Sequence, residues 1–105
     1  MTLEERTYLL NPRFALAEYL EPYVSRGLPV QVSYLGEPVG AFTTDVGELH
    51  SIVSLWRYES YDDRAERRAR LAGDPRWQEC LAVIRPMILS MKNRILLPLD
   101  YSRLR

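Results

Sequence analysis

Apolar and polar positions alternate imperfectly at the start of the chain. Arg6, Tyr8 and Leu10 fall on one side, with Glu5, Thr7 and Leu9 on the other. That pattern predicts a β-strand over residues 3–10. Asn11-Pro12 then reads as a helix start, because Asn caps well and Pro suits the first helical turn. Phe14, Leu16, Ala17, Leu20, Tyr23 and Val24 continue at helical spacing, with Pro22 expected to kink the helix and Gly27 to end it. Residues 28–35 are ambiguous: Val30, Val32 and Tyr34 favour a strand by type, while Pro29 suits the start of a helix. Gly36-Glu37-Pro38 breaks either element. A second strand is expected over 39–44, a turn at Asp45-Val46-Gly47, and a third strand over 49–58, the pair forming an antiparallel hairpin. Ser60, with Asp63 three residues on, caps a helix that runs to about Ala72 and ends at Gly73. Asp74-Pro75 opens another, with Trp77, Leu81, Ile84 and Ile88 on one face. A last strand over 90–97 stops at Pro98.

The order strand, helix, strand, strand, helix pair, strand is that of the ferredoxin-like α+β fold: a four-stranded antiparallel sheet with helices on one face. Both faces of the third strand are apolar, so the uncovered face needs a cover, and a second copy of the chain is the expected one. In this reading Val53 and Leu55 pack on the helices. His50, Ile52, Ser54, Trp56 and Tyr58 line the interior of a barrel formed by two sheets.

Composition narrows the function. A chain of 105 residues holds one domain. Fourteen basic residues cancel fourteen acidic ones, which argues against nucleic acid as partner. No apolar run is long enough for a membrane helix. Acids among the first six residues argue against a signal or transit peptide, so a cytoplasmic protein is expected. One cysteine, one histidine and no glycine-rich phosphate loop point to no metal and no cofactor.

The segment Leu55-Trp56-Arg57-Tyr58-Glu59-Ser60, followed by Asp63-Arg64, Arg67-Arg68, Leu71, Asp74-Pro75 and Trp77, resembles the NIPSNAP family. So do Gly40-Ala41-Phe42 with Gly47, Arg85-Pro86, and Asn93-Arg94-Ile95-Leu96 with Pro98. The resemblance covers nearly the whole chain. It implies a homodimeric α/β barrel and a helix over residues 28–35. It also implies kinship with a wider superfamily that holds cofactor-independent monooxygenases, isomerases and haem proteins. The family usually has Asn at the position of His50 and His at that of Ser54, so an activity resting on that pair would be altered here.

Candidate chemistry gathers on the aromatic face. His50 is the side chain suited to be a general base at neutral pH, with a hydrogen-bonded strand-end His as the structural alternative. Arg6 could hold a carboxylate or enolate, or form an ion pair with Glu4. Tyr8, Ser54, Trp56 and Tyr58 are the expected ligand-binding residues, the aromatics by stacking a flat molecule. The Asp62 to Arg70 stretch reads as a solvated helix face with i,i+4 pairs. Two functions follow: a cavity that binds a small apolar or aromatic molecule, as a binder or a cofactor-independent oxygenase or isomerase, or an interaction module whose barrel is filled.

Overall fold

The computed structural model describes residues 1–104. The chain runs β1 (Thr2–Leu10), α1 (Leu16–Pro22), a π-helical turn (Tyr23–Gly27), α2 (Leu28–Leu35), β2 (Gly40–Thr43), β3 (Ser51–Tyr58), α3 (Tyr61–Ala72), α4 (Pro75–Ile84), a 3-10 turn (Arg85–Met87) and β4 (Ile88–Leu96). The described strands form one antiparallel sheet in the order β2-β3-β1-β4, which is the ferredoxin-like arrangement. No helix among the described residues is long and apolar enough to cross a membrane.

Local chemistry accounts for most element ends. Ser60 Oγ accepts from Asp63 N at 3.0 Å and starts α3. Asp74 caps α4 by accepting from Arg76 N at 2.8 Å, and takes Tyr34 Oη at 2.8 Å, which ties α2 to α4. α1 starts four residues later than the Pro12 signal suggests. Asn11 Oδ1 instead accepts from Arg13 N, and the Glu18 carboxylate caps Ala15 N. Pro22 is the last residue of α1, and the helical run continues without a break through the wide π turn into α2. Gly27 is not a C-cap. It stays right-handed inside the helical run, and what requires a glycine there is the 2.6 Å that would separate a Cβ from Cys80 Sγ.

The hairpin connection is longer than a tight turn. Residues 44–50 leave the ladder, and His50 (φ 66°) and Gly47 (φ 122°) adopt left-handed backbone. Thr43 Oγ1 donates to Ser51 O at 2.8 Å and Ser51 Oγ to Glu48 O at 3.0 Å, which closes the loop on itself. β3 therefore begins at Ser51, and His50 lies just outside it.

The sheet faces are reversed relative to the expectation. Register places Glu4 opposite Trp56, Arg6 opposite Ser54 and Tyr8 opposite Ile52. Trp56 and Tyr58 are buried against Val30, Leu35, Leu71 and Trp77 of the helices. The helix layer stands far enough from the sheet to take a tryptophan and a tyrosine. The smaller Val53 and Leu55 lie on the opposite face with Leu9 and Phe42, and Phe42 is 58% exposed. A second core of Leu10, Tyr19, Cys80 and Ile84 joins β1 to α1 and α4.

Candidate functional site

Between the sheet and the helices the packing stops short of closing. A cavity of about 250 Å³ remains. Arg6 and Tyr8 of β1, Ile52, Ser54 and Trp56 of β3, and Met91 of β4 form its sheet side. Tyr19 and Tyr23 from the first helical run, Gln31 of α2, Arg68 of α3, and Trp77, Leu81 and Ile84 of α4 form the helix side. Exposed Val24, Arg85 and Met91 stand where it meets the surface. An apolar enclosure with a few converging polar groups is the usual build of a small-molecule site.

The aromatic side chains are fixed by their own partners. Tyr19 and Tyr23 stack with ring centroids 5.8 Å apart. Tyr23 Oη donates to Gln31 Oε1, and Trp56 Nε1 donates to Ser54 Oγ at 3.0 Å. Burial above all, and then the neighbouring Tyr8, push the Tyr19 and Tyr23 hydroxyls well above the ordinary tyrosine range. They stay protonated at neutral pH and can donate but not act as bases.

The polar end is built on Glu4, which is fully buried. Its Oε2 accepts from Arg64 Nη2 at 2.6 Å, Arg6 Nη1 at 3.0 Å and Asn93 Nδ2 at 3.0 Å. Burial alone would raise its pKa; Arg64, Asn93, Arg6 and Arg68 together outweigh that and hold it down at about 2. Arg6 also donates from Nε to Tyr8 Oη at 2.9 Å, with its guanidinium 5.5 Å from the Tyr8 ring centre. Burial works against the Arg6 charge, but Tyr8 and Glu4 more than offset it and the pKa rises.

Of the residues picked out from sequence, Arg6, Tyr8, Ser54 and Trp56 come together around the cavity. Arg6 both lines it and pairs with Glu4. The cavity lies under the helices, not between two sheets. Tyr58 does not line it: the ring is core, and its hydroxyl points to Glu4 Oε1 at 3.4 Å. His50 does not line it either. Its Nε2 meets the Phe14 carbonyl at 2.7 Å, so the ring pins the loop before β3 to the segment before α1. The base expected beside Arg6 is therefore not there.

Sequence reasoning missed Arg68, Tyr19 and Tyr23. Tyr23 belongs to the apolar positions at helical spacing, and Tyr19 falls outside that set. Arg68 belongs to the stretch that reads as a solvated face, and the signal that sets it apart is spacing. Arg64, Arg68 and the buried Leu71 follow one another at four and three residues, which puts both arginines on the inward face of α3. The pairs Asp63–Arg67 at 2.8 Å and Glu66–Arg70 at 3.4 Å occupy the outer faces, as the i,i+4 pattern suggests.

Comparison with known proteins agrees with this architecture. A NIPSNAP family protein from Agrobacterium tumefaciens superposes with a TM-score of 0.95 at 43% identity, covering 99% of this chain and 98% of that one. A protein of the antibiotic biosynthesis monooxygenase type from Nitrosomonas europaea superposes at 0.66 with 9% identity, covering 94% and 99%, and so shares the fold alone. Protein NipSnap of Drosophila melanogaster is 35% identical over 66 residues, which are 63% of this chain and 24% of that protein. Such matches thus span about a quarter of the curated relatives' length. The NIPSNAP family model matches residues 3–103, and on that near-complete match the chain belongs to the NIPSNAP family.

Proposed function

We propose that this NIPSNAP protein binds a small, flat, largely apolar molecule in the cavity between sheet and helices. The observation that carries the reading is the unfilled space itself, about 250 Å³ walled by Tyr8, Tyr19, Tyr23, Trp56 and Trp77. A module whose interior is filled would leave no such volume, because interiors pack to crystal-like density. Catalysis by His50 is not part of the proposal, since that ring is held outside the cavity by Phe14. Proton abstraction by an oxygenase or isomerase route would need a base, and Tyr19 and Tyr23 on the helix side of the cavity are held protonated. Binding is therefore the reading the site supports best. A homodimer in the cytoplasm belongs to the same proposal, the dimer supported by the apolar residues on the sheet face away from the helices.

The test follows the indole resonances of Trp56 and Trp77 while the neutral probe 2-naphthamide is added. Both should shift and saturate, and Ile52→Phe, which fills the cavity from β3, should weaken the effect at least tenfold. Unmoved resonances, or unchanged binding in the filled variant, would remove the cavity from the function.

A further inference from the structure

The charges at the polar end of the cavity do not balance. Among the described residues, the guanidinium groups of Arg6, Arg64 and Arg68 share the single carboxylate of Glu4, at 3.0, 2.6 and 3.7 Å. Three positive charges against one negative leave an excess of two. The carboxylate is also unevenly used. Oε2 takes three donors, while Oε1 is met only at long range, by Tyr58 Oη at 3.4 Å and Arg68 Nη1 at 3.7 Å. Two buried N–H groups, Arg64 Nε and Arg68 Nη1, have no hydrogen-bond partner among the described residues.

A set of arginines that served only to hold β1 to α3 would be expected to close its charge and its donors, because a buried charged donor without an acceptor is held at a cost. Here the surplus faces the cavity, since Arg6 and Arg68 both line it. Their field also crosses to the far wall, where both act on the Tyr23 hydroxyl. The arginine side chains are only 16 to 21% exposed, so water screens them weakly.

We infer that the ligand is an anion whose planar acid head, a carboxylate in the simplest case, sits between Arg6 and Arg68 with its apolar body among the cavity's aromatic rings. A carboxylate supplies two in-plane acceptors, which matches the forked donors of a guanidinium. It also reduces the excess charge from two to one. Amines are disfavoured by the same field. Neutral aromatics fit the apolar part but leave the excess charge undiminished. This inference rests on the cavity being a binding site and adds the class of molecule that it takes.

The test compares 2-naphthoate with 2-naphthamide by calorimetric titration at low salt, using the full chain and Arg68→Gln. The acid should bind at least tenfold more tightly than the amide. Arg68→Gln should weaken the acid about tenfold and leave the amide within twofold, and the unchanged amide affinity also reports an intact fold. Arg68→Lys should restore part of the preference. Equal binding of acid and amide, or a preference that survives Arg68→Gln, would overturn the anion assignment while leaving the cavity reading in place. If neither compound binds, both readings fall.

Discussion

Glu4 near the start of the chain and Arg64 on the first long helix after the hairpin are sixty residues apart in sequence, yet their side chains meet at 2.6 Å with the carboxylate fully buried. This bond fastens β1 to α3 through the middle of the molecule. Glu4→Gln would keep the shape and remove the charge that three arginines share. Breaking a buried pair from one side costs about 3–5 kcal/mol. The retained amide hydrogen bonds put this variant near the lower figure, or a fall in Tm of about 10 °C or more. A melting curve within a degree or two of the parent would show that the cluster is incidental to the fold.

The same carboxylate sets an acid limit. Its pKa is about 2 in the folded state against 4.5 for the free group. Folding therefore favours the ionised form. The contribution is complete above pH 4.5 and fades as pH falls from there toward 2. Urea denaturation between pH 6 and 2.5 should show stability dropping through that window. The drop should be distinctly shallower in Glu4→Gln, and parallel curves would assign the acid sensitivity to other groups.

Gly27 faces Cys80 Sγ at a distance that admits no side chain: a Cβ would stand 2.6 Å away, with the Tyr23 ring at 3.3 Å and the Trp77 ring at 3.4 Å. Gly27→Ala should destabilise by about 1–3 kcal/mol through overpacking. Adding Cys80→Ala removes the atom in the way, so the double variant should be more stable than the sum of the single changes by about 1 kcal/mol. Strict additivity in denaturant melts would place the strain elsewhere.

His50 combines a left-handed backbone with a ring bonded to the Phe14 carbonyl. Two costs can be separated there. His50→Ala loses the bond and keeps the strained φ, for about 1–2 kcal/mol. His50→Gly loses the bond but relaxes the backbone, and should cost less than the alanine. Both should bind 2-naphthamide as the parent does. Lost binding in the stable glycine variant would bring His50 back into the site.

The sheet face away from the helices carries exposed Phe42 with half-buried Val53, Leu55 and Leu9, and no helix packs on it. We propose that a second copy covers it, burying on the order of 2,000 Å² in total. Light scattering at low micromolar concentration should give twice the mass of one chain, and Val53→Asp should give one. A parent that runs as a folded monomer would defeat the proposal.

Much of this fold was legible because its signals are local. Ser60, Asp74 and Pro75 mark helix starts with their own side chains, and they act as read. Residues 28–35 were undecidable from propensity, since β-branched residues sit well in a helix once packing rewards them; the family resemblance named the helix that the structure shows. The assignment of sheet faces failed for a different reason. Alternation says which residues share a face but not which face the helices take, and Trp56 and Leu55 are both apolar enough for either side. Half of the candidate site was visible as residue types on β1 and β3. The other half comes from Tyr19, Tyr23 and Arg68, whose roles depend on where helices cross the sheet, and no local pattern records that.

The π-helical turn at Tyr23–Gly27 has a consequence for how this family could diversify. A wide turn holds one residue more than an α-helical turn spans, so it works as a single-residue insertion that resets the angular phase between α1 and α2. An α-helix advances about 100° per residue. Deleting Ser25 or Arg26 there would rotate Tyr23, Tyr19 and everything before them relative to Gln31, while leaving every side chain lining the cavity unchanged in identity. The shape of the pocket is thus encoded partly in the length of the chain. A relative could acquire a different cavity by losing one residue, with no substitution in the wall.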